Sequence, residues 1–229
     1  MGSDRTMGLR GSRALPWDSA RGGAAMLALL ISLGIAGAQE VRAEPGTYFL
    51  IEGDGGYEIG GAFAEGPDGW ARGITIGAGA KPKGWPLRFF GIASFSWADL
   101  EGAVEGSAEG AVIERDAFKW SLGLRVIAPI AERLRAIVDT TLGSILVDST
   151  AILGRGAERI ASRDEGFFVG VRIGLQWRLH YRASVGARFD LTLPTGLSGF
   201  DPLAEAAGAR SGDAGSANAA FGLTATFHL

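Results

Sequence analysis

The chain has 229 residues, a formal charge of −3 and no cysteine. Its length suits one domain, its charge offers no basic footprint for nucleic acid, and without cysteine it has no disulfide framework, thiolate metal site or lipid-bearing cysteine. Hydrophobic residues make up 47%, too few for a helical membrane bundle, and 37 glycines point to turns and close backbone packing rather than helices.

Residues 1–21 are mostly polar and carry Arg5, Arg10, Arg13 and Arg21 against Asp4 and Asp18. An apolar run over 24–35 follows, broken only by Ser32 and Gly34, and it ends at Ala36, Gly37 and Ala38. A basic start, a short apolar stretch and a small-x-small site describe a secretory signal peptide over 1–38. The apolar run is too short to cross a bilayer comfortably as a helix. Cleavage is expected after Ala38, with Ala43 as a second candidate, Met7 as a possible true start and an uncleaved anchor as the alternative. Residues 39–45 then form a short lead-in.

From residue 46 onward apolar residues recur at every second position, the strand signal. Residues 46–59 place Phe49, Ile51 and Tyr57 opposite Leu50, Glu52, Asp54 and Glu58. Trp70, Ile74, Ile76 and Ala78 alternate with Ala71, Gly73, Thr75 and Gly77. In 86–99, Leu87, Phe89, Ala93, Phe95 and Trp97 share a face, while Phe90 and Ile92 intrude among Arg88, Ser94 and Ser96. Phe118, Trp120, Leu122, Leu124 and Val126 oppose Lys119, Ser121, Gly123 and Arg125. Leu134, Ala136, Val138, Thr140 and Leu142 oppose Arg133, Arg135, Ile137, Asp139 and Thr141. Phe167, Val169, Val171, Ile173, Leu175 and Trp177 oppose Phe168, Gly170, Arg172, Gly174, Gln176 and Arg178. Tyr181, Ala183, Val185, Ala187, Phe189 and Leu191 oppose Arg182, Ser184, Gly186, Arg188, Asp190 and Thr192. Last, Phe221, Leu223, Ala225, Phe227 and Leu229 oppose Gly222, Thr224, Thr226 and His228. The total is eight strands, an even number, as a closed antiparallel barrel requires.

The connections sort by parity. The odd ones (60–69, 99–115, 148–165 and 194–218) are medium to long, and the even ones (81–86, 128–132 and 179–180) are short. Up-and-down barrels in an outer membrane have long loops at one rim and short turns at the other. Alternation alone would also fit a soluble lipocalin-like carrier. Three features favour lipid outside. The polar face mixes Arg, Asp and Glu with Gly, Ser and Thr, as a narrow filled lumen needs. Aromatic residues gather near strand ends, with Trp70, Trp97, Phe118, Trp120 and Phe167 at the loop rim and Trp177, Tyr181 and Phe227 at the turn rim. The chain also ends on its last strand. Phe221, Leu223, Ala225, Phe227 and Leu229 resemble the C-terminal signal read by the assembly machinery of bacterial outer-membrane barrels, although that family usually ends in Phe or Trp and here Leu229 is last.

With the signal peptide and the loop parity, residues 46–229 resemble the small OmpA/OmpX-type outer-membrane barrels. The resemblance implies an all-β, eight-stranded, antiparallel up-and-down transmembrane barrel, monomeric, exported to the outer membrane of a Gram-negative cell. Residues 39–45 and both termini would then be periplasmic. Outer-membrane lipid, lipopolysaccharide and the assembly machinery are the expected partners, and nucleic acid is not.

Eight strands enclose a lumen just wide enough for side chains to fill. The inward-facing charges are Glu52, Asp54, Glu58, Lys119, Arg125, Arg133, Arg135, Asp139, Arg172, Arg178, Arg182, Arg188 and Asp190, a set in which basic residues exceed acids. They are expected to form a packed ionic plug, with a narrow anion-selective, porin-like channel as the alternative. Arginine outnumbers lysine 19 to 3, which fits either confined carboxylate pairing or GC-rich codon usage. A lipid A-modifying enzyme would need a base beside its nucleophile. The candidates His180 and His228 both fall at the turn rim without an adjacent serine and carboxylate pattern. No catalytic residue, cofactor or metal site is expected. The glycine-rich pieces 53–57 and 77–79 lack phosphate-loop spacing and a following helix. The loops remain as contact surface: 99–115 is acidic, and 148–165 carries Arg155, Arg159 and Arg163 beside Glu158, Asp164 and Glu165. The glycine-, alanine- and serine-rich 194–218 is expected to be mobile.

Overall fold

The computed structural model describes residues 46–59, 68–103, 112–153, 158–195 and 217–229. The expected signal peptide and lead-in lie outside them. The described chain is eight antiparallel strands: β1 (Gly46–Ile59), β2 (Asp68–Lys81), β3 (Arg88–Ala103), β4 (Val112–Pro129), β5 (Leu134–Leu153), β6 (Glu158–His180), β7 (Ala183–Thr195) and β8 (Asn218–His228). Each pairs with its sequence neighbour, and β8 pairs with β1, so the sheet closes in the order β1 to β8. Closure removes the unpaired edges that an open sheet would present. At the seam the Leu229 N–H donates to the Phe49 carbonyl at 2.9 Å and the Phe49 N–H donates to the Leu229 carbonyl at 3.3 Å.

Local chemistry accounts for the short rim. Between β2 and β3, Gly84 takes a φ of 80°, which only glycine adopts without strain. Between β4 and β5 the Ile130 and Ala131 N–H groups both donate to the Leu134 carbonyl, at 2.9 and 3.1 Å. The turn between β6 and β7 is Tyr181 and Arg182, not the expected 179–180, because β6 continues through His180 with a register irregularity between Arg178 and His180.

The opposite rim differs from expectation in a second way. Strand pairing consumes most of two segments read as loops. β3 and β4 stay in register out to Ala103 and Val112. β5 and β6 stay in register out to Leu153 and Glu158. Asp99, Glu101, Glu114, Asp148, Arg159, Arg163, Asp164 and Glu165 therefore belong to strands. Glu105, Glu109, Arg155 and residues 196–216 lie outside the described part. At these two connections the described strands reach beyond the expected loop boundaries, to Ala103 and Val112 and to Leu153 and Glu158.

The faces follow the alternation. Leu124, Leu142 and Phe167 stand outward with 69%, 63% and 68% exposure. Ile51, Ile74, Ile76, Val138, Val171, Ile173 and Leu175 are also exposed. The intruding apolar residues have a clear place. Leu50, Phe90, Ile92, Ile127 and Ile137 form an apolar cluster inside the turn end. Ala71, Ala98, Leu100, Ala117, Ile145, Val147 and Phe168 form another toward the loop end. The charged layer lies between them.

Candidate functional site: the charged interior of the barrel

Strand register builds a ladder of alternating charge around the wall. Arg125 on β4 stands opposite Asp139 on β5, Asp139 opposite Arg172 on β6, and Arg172 opposite Asp190 on β7. Arg125 is fully buried. Its Nε and Nη2 donate to the two oxygens of Asp139, both at 2.8 Å. Its Nη1 and Nη2 donate to Glu52 across the lumen at 2.9 and 2.8 Å. One guanidinium thus forks two carboxylates, the geometry that suits arginine and not lysine.

Neighbours satisfy the remaining lone pairs. Arg172 Nε donates to Asp190 at 2.7 Å and its Nη1 to Glu52 at 3.3 Å. The Thr226 hydroxyl donates to Glu52 at 2.7 Å, and Gln176 Nε2 donates to the same carboxylate at 3.1 Å. Arg188 extends the chain by ion pairs to Asp54 at 2.5 Å and to Asp190 at 2.9 Å. Higher up, Lys119 pairs with Glu58, and Asn218 Nδ2 donates to Glu58 at 3.4 Å. Buried charges hold only when paired and hydrogen-bonded in this way.

The structure therefore joins Glu52, Asp54, Asp139, Asp190, Arg125, Arg172 and Arg188 into one network, with Glu58 and Lys119 as a separate pair. Four expected members stand apart. Arg133 and Arg182 are exposed turn residues. Arg135, which is buried, and Arg178, which is half-buried, lie at the turn end on β5 and β6. The expected excess of basic residues is thus not in the plug, where acids slightly outnumber cations. The excess sits at the rim. Sequence reasoning left out Gln176, Thr226, Thr75 and Asn218. Each has inward parity, but only the register reveals that they meet Glu52, Arg172 or Glu58.

Around the network remains a hollow of ≈ 70 Å³ lined by Asp54, Glu58, Lys119, Arg172, Arg188 and Asp190 among others. It has room for water but is far below the roughly 300 Å³ of a drug-sized ligand site. Of the two histidines, His228 lies inside the turn end with its Nε2 3.4 Å from Ser184 Oγ. Ser184 is thus a neighbour that sequence spacing did not reveal. The His228 Nδ1 has no hydrogen-bond partner among the described residues, and both side chains are buried. No group of three or more His, Cys, Asp and Glu able to hold a metal occurs among the described residues.

No protein-family model and no curated protein matches the chain. Several solved structures are similar to it. Neisserial surface protein A (NspA) aligns over 80% of this chain and 98% of its own at 9% identity, with a TM-score of 0.49. Ail, the attachment invasion locus protein of Yersinia pestis, aligns over 81% and 100% at 14% identity, with a TM-score of 0.44. The N-terminal β-barrel domain of Pseudomonas aeruginosa OprF aligns over 81% and 100% at 12% identity, with a TM-score of 0.38.

Proposed function

We propose that this chain is a Gram-negative outer-membrane barrel with a structural or surface-contact role, its lumen sealed by charge and its long hairpins facing the exterior. One observation carries the reading: bulky apolar side chains cover the outside while arginines and carboxylates fill the inside. A water-soluble carrier would have the reverse arrangement. A bilayer offers no water to backbone amides, so a spanning sheet must close, and this one does. The turn rim, which also holds Gly46 and Leu229, faces the periplasm in this reading. Of the expected assembly signal, Phe221 and Leu223 of β8 and the adjoining Leu229 are exposed, Phe227 is half-buried and Ala225 is buried; this is the patch offered to the assembly machinery, and lipid and lipopolysaccharide meet the outer belt.

The sealed lumen sets this reading against the porin-like one. The apolar cluster at the turn end and the Arg125 bonds that cross the bore to Glu52 support a filled lumen over a channel. Purified protein in planar bilayers is expected to show no discrete conductance steps, and steps that persist in Arg125→Lys would overturn the sealed-lumen reading. In gels the membrane fraction is expected to shift mobility on boiling, as a detergent-resistant barrel does. A water-soluble product without that shift would overturn the membrane reading.

A further inference from the structure

The cations that the network leaves out are collected at one end of the barrel. On two walls the inward positions nearest the turn rim are an arginine followed by an apolar residue: Arg88 and Phe90 on β3, and Arg135 and Ile137, then Asp139, on β5. On β6, Arg178 stands beyond Gln176. The apolar cluster of Leu50, Phe90, Ile127 and Ile137 adjoins these arginines on β1, β3, β4 and β5, while on β6 Gln176 stands opposite Arg135 and gives its amide to Glu52. The carboxylates of Glu52 and Asp139 are already occupied by Arg125 and Arg172.

Arg135 is 7% exposed, and its Nη1 has no hydrogen-bond partner. Arg88 and Arg178 lie close enough to repel its charge, Tyr48 acts the opposite way, and buried His228 faces Arg135 and Arg88 from β8. Arg88 lies over the Tyr48 ring at 4.8 Å, and Arg178 Nη2 donates to the Glu132 carbonyl at 3.0 Å. None of the three arginines has an ion pair among the described residues. Converging guanidiniums without a counter-charge destabilise a fold unless an anion joins them.

We propose that the turn-side mouth is an anion site in which Arg88, Arg135 and Arg178 hold an oxyanion of the phosphate class, either free or carried by a lipid headgroup. Three cations call for a multiply charged anion with more than two acceptor oxygens, which phosphate provides and acetate does not. Guanidinium forks match phosphate oxygens in pairs. The site itself stands independently of the proposed location, and only its assignment to the periplasmic side rests on it.

The test uses the full chain folded in micelles of a sugar-headgroup detergent, which carry no phosphate. The urea midpoint is followed against inorganic phosphate, chloride and acetate at one ionic strength. Phosphate is expected to raise the midpoint saturably, with chloride and acetate giving no matching rise. Arg135→Gln is expected to keep or raise the anion-free midpoint, because repulsion is relieved, and to weaken the phosphate response at least tenfold. A merely structural Arg135 would instead lower the anion-free midpoint and leave the phosphate response in place. Equal responses to the three anions, or a full phosphate response in Arg135→Gln, would overturn the proposal. Should Arg135→Gln not fold, Arg88→Gln is judged by the same criteria. Refolding in phosphatidic acid vesicles, whose headgroup is a phosphate monoester, separates the two sources. If free phosphate adds no further rise there, the lipid headgroup is the occupant, and an undiminished rise identifies the soluble anion.

Discussion

Arg125 has donors on every side of its guanidinium, and the bonds they make end on two carboxylates from two other strands. Removing one partner of such a buried set leaves the others charged and unpaired, which costs roughly 3–5 kcal/mol. Arg125→Ala is therefore expected to lower the urea unfolding free energy by about that amount. Arg182→Gln, an exposed turn residue in the same sequence-derived set, should stay within about 0.5 kcal/mol of the parent. Parity alone gave the two arginines one role, and burial separates them. A different residue-scale effect operates beyond the loop-side aromatics. Asp99, Asp116 and Asp148 face each other on β3, β4 and β5, outside the apolar belt. Partial burial and then the charges of Asp99, Asp148 and Glu114 push the Asp116 carboxyl above its ordinary range. A raised acid favours the protonated form in the folded state. Folding thus carries a cost at neutral pH, and that cost fades as pH falls through the raised value toward the ordinary one. Asp116→Asn is expected to be slightly more stable than the parent at pH 7 and to lose that advantage in mild acid. Midpoints measured across the pH range check the sign.

At the scale of elements, β4 and β5 approach so closely at Gly143 that an added Cβ would stand 2.0 Å from the Trp120 carbonyl oxygen. Backbone cannot yield as a flexible side chain can, so the strands would have to separate locally. Gly143→Ala is expected to destabilise the hairpin by about 1–3 kcal/mol, the usual cost of overpacking, read as a lowered unfolding midpoint with an unchanged strand spectrum. The abundance of glycine was legible as close packing, but which glycine faces which carbonyl depends on register. Strand ends were legible only in part. Residues 148–153 and 158–165 look like loop because polar and charged residues interrupt the apolar face. They pair anyway, since each strand offers its neighbour a complete ladder of backbone donors and acceptors.

For the whole molecule the decisive quantity is the sign of the inside–outside contrast. Val171 and Arg172 are neighbours in sequence and stand on opposite faces, Val171 exposed and Arg172 bound to Asp190. Val171→Arg places a charge in the belt assigned to hydrocarbon, at a cost of about 2–4 kcal/mol near the bilayer midplane. The same substitution on a water-facing surface would be nearly neutral. Unfolding free energies measured in lipid vesicles therefore test the membrane orientation directly. Charge is also unevenly divided along the barrel axis. Acids such as Asp99, Glu101, Glu114, Asp116 and Asp148 line the loop-side strands, while Arg88, Arg133, Arg135, Arg178 and Arg182 gather at the turns. That polarity is present in the sequence, but it becomes spatial only when the strands alternate in direction.

The number of strands, their period and the outward face could be read from the amino-acid order, because a two-residue repeat is a local property of extended backbone. The inward set was legible for the same reason, and so were its acids and cations as residue types. Tertiary structure alone decided who meets whom. Glu52 bonds to Arg125 and to Thr226 from 73 and 174 residues away. Such partners are fixed by the stagger of strands around a closed cylinder and not by any spacing along the chain. The same stagger left Arg88, Arg135 and Arg178 at the turn end with no ion pair among the described residues.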